Sequence, residues 1–311
     1  MAKIIFFGSG TIAKRSLEAL INSEHQVVCV VTSPDRKKGR HLLNSQTPIK
    51  QIALNYGLCV FQPEELDSAK TIEYLKKFNC DFFIVFAYGK ILPKGLLEIP
   101  SVLPLNIHAS LLPKYRGAAP IQWSLFNGEK KTGVTYIKMN EKMDQGEIVI
   151  AKEIDILEDD NALTLEDKLS KLSADNLLAV IRDILSKKID FKKQDDSKAS
   201  YAPKLRKENG RIDWHNSAQQ IYNQIRACFG WPGAFTFYQK KILKIWKAKI
   251  FILQSPEKQF GKILSVDKNG ILVSTPQDAL LIKELQFESG KRLSIEEFIK
   301  GHTLRIGEIL T

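Results

Sequence analysis

Lys3-Ile4-Ile5-Phe6-Phe7-Gly8-Ser9-Gly10-Thr11-Ile12-Ala13 begins as an apolar run, breaks on two glycines and resumes as an amphipathic stretch. An uncharged run after Lys3 reads as a strand buried on both faces, and the glycines as a tight turn into the helical spacing of Ala13 to Asn22. The alternation then repeats. Candidate strands are Gln26 to Val31, Phe82 to Phe86, Leu105 to Ile107 and Gly133 to Lys138; helical spacing recurs over Pro48 to Tyr56, Ser68 to Phe78 and Ala119 to Asn127. Strands alternating with helices predict an α/β fold with a mostly parallel sheet and ligands at the carboxyl ends of its strands. The opening turn also spells Gly-x-Gly-x-x-Ala, the dinucleotide fingerprint of an NAD-dependent oxidoreductase. That fingerprint needs an acidic residue closing the second strand. Here Thr32-Ser33-Pro34 intervene and Asp35 falls in a loop, so the glycines are read as a turn only.

Further along, Leu163 to Ser186 is a long amphipathic pattern expected to pack as one or two helices. From Lys187 to Gly210 the chain is rich in Lys, Asp, Ser and Glu and its apolar residues are isolated, which reads as a linker. Short alternating runs follow at Ala234 to Tyr238, Lys241 to Ile250, Gly261 to Val266, Ile271 to Thr275 and Ala279 to Leu285, separated by Gly-containing turns. They predict a small OB-like β-barrel. The expected division is residues 1–189, a linker over 190–208 and a second domain over 209–311, in keeping with a length of 311 residues. Trp214, Trp231 and Trp246 are read as core anchors of the barrel, and Trp123 as lying on the apolar side of the helix after Ala119.

The formal net charge of +11 points to an anionic partner. Most of the excess lies late in the chain, where residues 201–311 carry 18 Lys and Arg against 10 Asp and Glu. Lys240, Lys241, Lys244, Lys247 and Lys249 follow one another with no acidic residue among them, a pattern that serves a lysine-protected strand edge or a nucleic-acid surface. A second basic element, Asp35-Arg36-Lys37-Lys38-Gly39-Arg40-His41, opens a loop running to Pro48. The short apolar run at Ile4 to Phe7 is neither a secretory signal nor a membrane span, so a cytoplasmic protein is expected. Cys29, Cys59, Cys80 and Cys228 stand far apart; they suggest neither a zinc site nor a disulfide framework, and no metal is expected.

Chemistry concentrates in Asn106-Ile107-His108-Ala109-Ser110-Leu111-Leu112-Pro113-Lys114-Tyr115-Arg116-Gly117-Ala118-Ala119-Pro120, with Met143-Asp144-Gln145-Gly146-Glu147 after it. Asn106 and His108 are two apart, so an extended segment sends both side chains to one face, and Asp144 can return there from the next strand or loop. An amide donates to a carbonyl oxygen as it becomes anionic, an imidazole moves protons near neutral pH, and a carboxylate orients the imidazole. This set runs an acyl transfer without a serine or cysteine nucleophile when the substrate brings its own amine. The small residues Gly117-Ala118-Ala119-Pro120 leave room for something flat.

These residues resemble the signature of the 10-formyltetrahydrofolate-dependent formyltransferases. The resemblance extends through Val31 to Arg36, Ala87 to Pro93, Ile121-Gln122, Met143 to Gly146, Tyr201 to Leu205 and Arg211 to Trp214, nearly the whole chain. It implies a Rossmann-like formyltransferase domain followed by the basic barrel, and transfer of a formyl group from 10-formyltetrahydrofolate, a co-substrate, to the methionine α-amino group of initiator methionyl-tRNA. Asn106, His108 and Asp144 match the catalytic positions. Ser110, Leu111, Leu112 and Pro113 match the folate-binding positions, with Ala87, Tyr88 and Gly89 walling the pterin through backbone groups. The loop of Arg36, Lys37, Lys38 and Arg40 matches the one that inserts at the tRNA acceptor end, Arg40 being the wedge, and Lys241, Lys244 and Lys247 are expected on the tRNA surface. No membrane partner is implied, and a monomer is expected. The Asn, His and Asp set alone also suits a formyltransferase acting on a small amine or sugar nucleotide, or a hydrolytic relative; the basic second domain and loop favour a large polyanion. A noncatalytic RNA-binding protein would not need the three polar residues.

Overall fold

A computed structural model describes residues 1–38, 43–253, 255 and 257–311. Two compact units emerge: Met1–Pro120 with Lys131–Asp155 and Glu166–Ala202, and Ile121–Lys130 with Ile156–Leu165 and Pro203–Thr311. The first is built on strands β1 (Lys3–Gly8), β2 (Gln26–Val31), β3 (Arg36–Lys38), β4 (Leu43–Ser45), β5 (Val60–Phe61), β6 (Phe82–Phe86), β7 (Leu103–His108), β8 (Lys131–Lys138) and β9 (Glu147–Asp155). Helices α1 (Lys14–Ile21), α2 (Pro48–Asn55), α3 (Ala69–Lys76) and α4 (Lys94–Leu97) connect them; α5 (Pro120–Phe126) belongs to the second unit from Ile121 on, and the long α6 (Ala162–Leu185) to the first from Glu166 on.

Seven strands form one sheet in the order β5-β2-β1-β6-β7-β8-β9, parallel from β5 to β7 and antiparallel across β8 and β9. Ile4, Ile5, Phe6 and Phe7 of β1 and all five residues of β6 are buried, as central parallel strands with both faces covered require. One core gathers Ile5, Phe7, Cys29, Phe83, Val85 and Tyr88. The opening glycine turn is knit to the loop after β6, since the N–H groups of Ser9 and Gly10 both donate to the Ala87 carbonyl at 3.1 Å. Side-chain oxygens cap the helices that follow loops: Thr47 accepts from Lys50 N–H, and Ser68 from Thr71 N–H.

Strands β1, β2, β6, β7 and β8 and helices α1, α2, α3 and α5 lie where periodicity places them, 162–185 is a single helix, and the two-residue β5 and the one-turn α4 are too short to show in the pattern. Strand β9 and the pairing of β3 with β4 are additions. The latter joins the two ends of the basic loop through Arg36 with Ser45, Lys37 with Asn44 and Lys38 with Leu43. Cys29, Cys80 and Cys228 are buried thiols and Cys59 is exposed. Among the described residues no helix is long and apolar enough to cross a membrane.

The second unit carries α7 (Ala218–Ala227), strands β10 (Ala234–Tyr238), β11 (Lys241–Phe251), β12 (Ile263–Asp267), β13 (Gly270–Ser274), β14 (Ala279–Phe287) and β15 (Leu293–Ser294), and α8 (Ile295–Phe298). The strands pair antiparallel in the order β10-β11-β14-β13-β12, with β15 added to β14. The last residues tie its two outer strands together. Phe237 and Thr311 exchange N–H···O bonds of 2.7 and 3.0 Å, Leu310 N–H donates to Gly261 at 2.8 Å, and Ile263 N–H donates to Glu308 at 2.9 Å. Leu310 is buried in the core with Trp214, Leu243, Ile263 and Phe298. Trp214 is a core anchor, its Nε1–H donating to Thr236 Oγ1 at 2.9 Å, and Trp246 is half-buried. Trp231 departs from its expected core position: it is 57% exposed, because the Gly230 to Gly233 turn carries its ring outward.

Leu310→Ala is expected to destabilise this unit by about 2–4 kcal/mol, the usual loss for a buried Leu. All four tryptophans lie in the second unit, so equilibrium denaturation followed by tryptophan fluorescence reads the change directly.

Candidate active site

Asn106 and His108 lie at the carboxyl end of β7, both on one face, while Leu105 and Ile107 turn into the opposite one. Register fixes their neighbours. Phe86 of β6 pairs with Ile107, so Ala87 comes beside His108, and on the other side His108 pairs with Thr135 of β8. Asp144 returns from the turn between β8 and β9 and is almost buried. Its Oδ1 lies 3.5 Å from His108 Nδ1 and 3.4 Å from Asn106 Nδ2, and its Oδ2 accepts from Gly117 N–H at 2.9 Å. The three polar groups chosen from sequence thus converge.

The imidazole is fixed from its other side. His108 Nε2 lies 2.9 Å from the Tyr115 carbonyl, which can only accept, so Nε2 carries a hydrogen and Nδ1 is the nitrogen facing the carboxylate. The loop Ser110–Pro120 is held by Thr135, whose buried hydroxyl donates to the Ser110 carbonyl at 2.6 Å and accepts from Leu112 N–H at 3.1 Å. Ser110 Oγ donates to the Lys114 carbonyl at 2.6 Å. Leu112 is buried, Leu111 and Pro113 are half-buried, and the Leu112–Pro113 peptide is cis. Ala87 and Gly89 are exposed at φ values of +49° and +80°. Tyr88 instead turns its side chain into the core, where it packs edge-on against Phe7, and burial pushes its phenol up to about 12. Tyr88 therefore turns only its backbone toward the end of β7.

Among the basic residues, Arg36 is exposed on β3, and Lys37 and Lys38 follow it on the same strand. Arg40 lies outside the described residues. Lys241, Lys244 and Lys247 lie on β11 of the second unit, Lys241 and Lys247 exposed and Lys244 half-buried with its Nζ 5.8 Å from the Trp246 ring centroid. The Arg292 guanidinium covers the same ring at 5.4 Å, so the strand's outer face interleaves basic and aromatic side chains.

Several supporting residues are given no such role by the sequence reading. Arg116, only 3% exposed, donates from Nε and Nη2 to Gln194 Oε1 at 3.0 and 2.8 Å and from Nη2 to Asp196 Oδ1 at 2.7 Å. Residues 200–202 run alongside the loop: Arg116 N–H donates to Ser200 at 2.8 Å, Ala202 N–H to Arg116 at 2.7 Å, and Tyr115 N–H to Ser200 Oγ at 2.9 Å. Gly117 must be glycine at this point. Its φ is +123°, and a Cβ there would lie 2.7 Å from the Ala202 carbonyl oxygen.

Comparison with known proteins gives the chain its family. Residues 2–181 match the formyl transferase family and residues 204–303 match the family's C-terminal domain; the chain belongs to the formyl transferase family. Within it, the methionyl-tRNA formyltransferase of Alkaliphilus oremlandii is 42% identical over 308 residues, 99% of each chain. Among solved structures, a methionyl-tRNA formyltransferase from Clostridium thermocellum superposes with a TM-score of 0.58 at 21% identity, over 80% of this chain and 94% of that one. HypX from Aquifex aeolicus, solved with tetrahydrofolic acid, superposes with a TM-score of 0.64 at 16% identity; it covers 99% of this chain, which spans half of HypX. These two likenesses concern the fold.

Gly117→Ala is expected to lower turnover at least about tenfold, since strain at this φ and the clash with Ala202 both move the N–H that holds Asp144. Steady-state kinetics beside a thermal melt checks it; an unchanged kcat would show that the Gly117 N–H does not matter.

Proposed function

We propose that the protein transfers the formyl group of 10-formyltetrahydrofolate to the α-amino group of methionine on initiator methionyl-tRNA, giving N-formylmethionyl-tRNA for translation initiation. The convergence of Asn106, His108 and Asp144 at the end of β7 carries the chemistry. The acceptor follows from full-length similarity to methionyl-tRNA formyltransferases at 42% identity. Residues 1–189 then serve as the catalytic part, 190–208 as the connection and 209–311 as the tRNA-binding barrel. The same reading puts the protein in the cytoplasm, where its acceptor is used, and treats it as a monomer.

The residues give the reaction its form. The free amine attacks the formyl carbon, negative charge gathers on the formyl oxygen, the bond to the folate N10 breaks and the amine's proton passes to N10. Asn106 Nδ2 has two hydrogens and directs at most one toward Asp144, which leaves one for the oxyanion. His108 keeps its Nε2 proton on the Tyr115 carbonyl, so Nδ1 is the site that gains and releases the moving proton beside Asp144 Oδ1. The carboxylate favours the imidazolium that forms during the transfer. Ser110 to Pro113 with Ala87, Tyr88 and Gly89 are assigned to the folate, the last three through backbone. Arg36, Lys37, Lys38 and Arg40 are assigned to the acceptor end of the tRNA, and Lys241, Lys244 and Lys247 to its phosphates.

Incubation with 10-formyltetrahydrofolate and methionyl initiator tRNA, with elongator tRNA as control, is expected to give formylmethionine from the initiator alone. Folate-dependent loss of formyl without formylmethionine would move the acceptor to a small amine, a sugar nucleotide or water. Alanine at Asn106, His108 or Asp144 is expected to lower turnover at least about a hundredfold, the scale of oxyanion donors and general acid-base groups. Near-normal turnover in Asn106→Ala would sink the mechanism. Lys244→Ala and Lys247→Ala are expected to raise KM for tRNA and each to reduce the slope of log affinity against log salt by about one, with folate binding unchanged.

A further inference from the structure

Gln194 lies in the polar stretch whose composition reads as a linker, yet the backbone delivers it to the site. Ile148 of β9 and Lys192 form an antiparallel bridge, exchanging N–H···O bonds of 2.7 and 2.9 Å. Two residues past Lys192 stand across from two residues before Ile148, so Gln194 faces Gly146. Its side-chain Nε2 donates to the carbonyls of Asp144 at 2.7 Å and Gly146 at 2.8 Å, spanning the turn that carries the carboxylate. Its Oε1 accepts both bonds from the buried Arg116 guanidinium. A guanidinium only donates and a backbone carbonyl only accepts, so the partners fix which way the amide points. Arg116 immediately precedes Gly117, whose N–H holds Asp144 Oδ2. One side chain therefore grips both the turn and the loop that together place the carboxylate. Asp144 sits at φ +55°, a left-handed conformation that costs a residue with a Cβ, though Asp less than most, and the two carbonyl bonds from Gln194 span it.

We propose that Gln194 is a positioning residue for formyl transfer, fixing the left-handed backbone of Asp144 so that its carboxylate faces His108 Nδ1 and Asn106 Nδ2. This rests on the assignment of Asp144 under the proposed function. Gln194→Glu is the informative change: it is isosteric, keeps an acceptor for Arg116 and replaces both carbonyl-facing donors with an oxygen. Formylation of initiator methionyl-tRNA is measured for wild type, Gln194→Glu, Gln194→Ala, Asp144→Asn and Asp144→Asn with Gln194→Glu, beside thermal melts and KM values for both substrates. In Gln194→Glu, kcat is expected to fall by about tenfold to a hundredfold with both KM values and the melting temperature near wild type, the signature of a misplaced group. In the Asp144→Asn background the same change is expected to cost little more, because the group it positions is already gone. Wild-type kcat in Gln194→Glu, or an equal fold-loss in both backgrounds, would overturn the inference while leaving the proposed function intact. If Gln194→Ala fails to fold, Gln194→Glu still carries the comparison. A wild-type chain that formylates nothing would overturn the proposed function and this inference with it.

Discussion

A nearly buried carboxylate has to be satisfied on both oxygens, and most of the site follows from how Asp144 meets that demand. Oδ2 takes the Gly117 N–H, which requires the loop after β7 to come back across the end of the sheet. That return is possible because Gly117 adopts a φ of +123° against the Ala202 carbonyl. The segment at Ser200 to Ala202 in turn pairs with Arg116 and holds Tyr115, whose carbonyl fixes His108 Nε2. Oδ1 is thereby left toward the two side chains that stand on β7. Backbone hydrogen bonds, rather than apolar packing, carry each of these steps.

That distinction explains what can be read from the amino acids. β1, β2 and β6 are legible as runs of Ile, Val and Phe because central parallel strands bury both faces. Asn106 and His108 are legible as a pair because a spacing of two on a strand implies one face. Strand β9 is harder to see: Glu147 to Asp155 lies at the edge of the sheet and mixes charge with Ile and Val, so its burial is partial. The β3–β4 pairing is shorter still, three residues a side within a basic run. Trp231 shows the reverse error, an apolar residue assigned to the core that turn geometry carries outward.

Residues 187–202 illustrate the limit most clearly. Composition reports whether a segment can form a core, and this one cannot. It is silent on side chains that bond backbone carbonyls elsewhere, since such contacts impose no periodicity and tolerate polar neighbours. Gln194 and Asp196 therefore look like any residues of a solvated stretch, although their partner Arg116 is almost fully buried. A buried guanidinium is the better clue: a charge taken out of water must find acceptors, and following its acceptors leads to the segment that sequence composition passes over.

The resting distances of 3.5 and 3.4 Å from Asp144 to His108 and Asn106 are long for working hydrogen bonds. They suit a site that is organised before its charges appear. In the proposed transfer Nδ1 takes the amine's proton, and an imidazolium formed there would attract the Asp144 carboxylate strongly across a short distance in a poorly solvated setting. The Asn106 amide, meanwhile, is not locked by a short bond, which suits the oxyanion role proposed for it. Groups fixed by short bonds on their far sides, Nε2 at 2.9 Å and Oδ2 at 2.9 Å, keep their near sides free, and under the proposed function that freedom lets them tighten as the transition state forms.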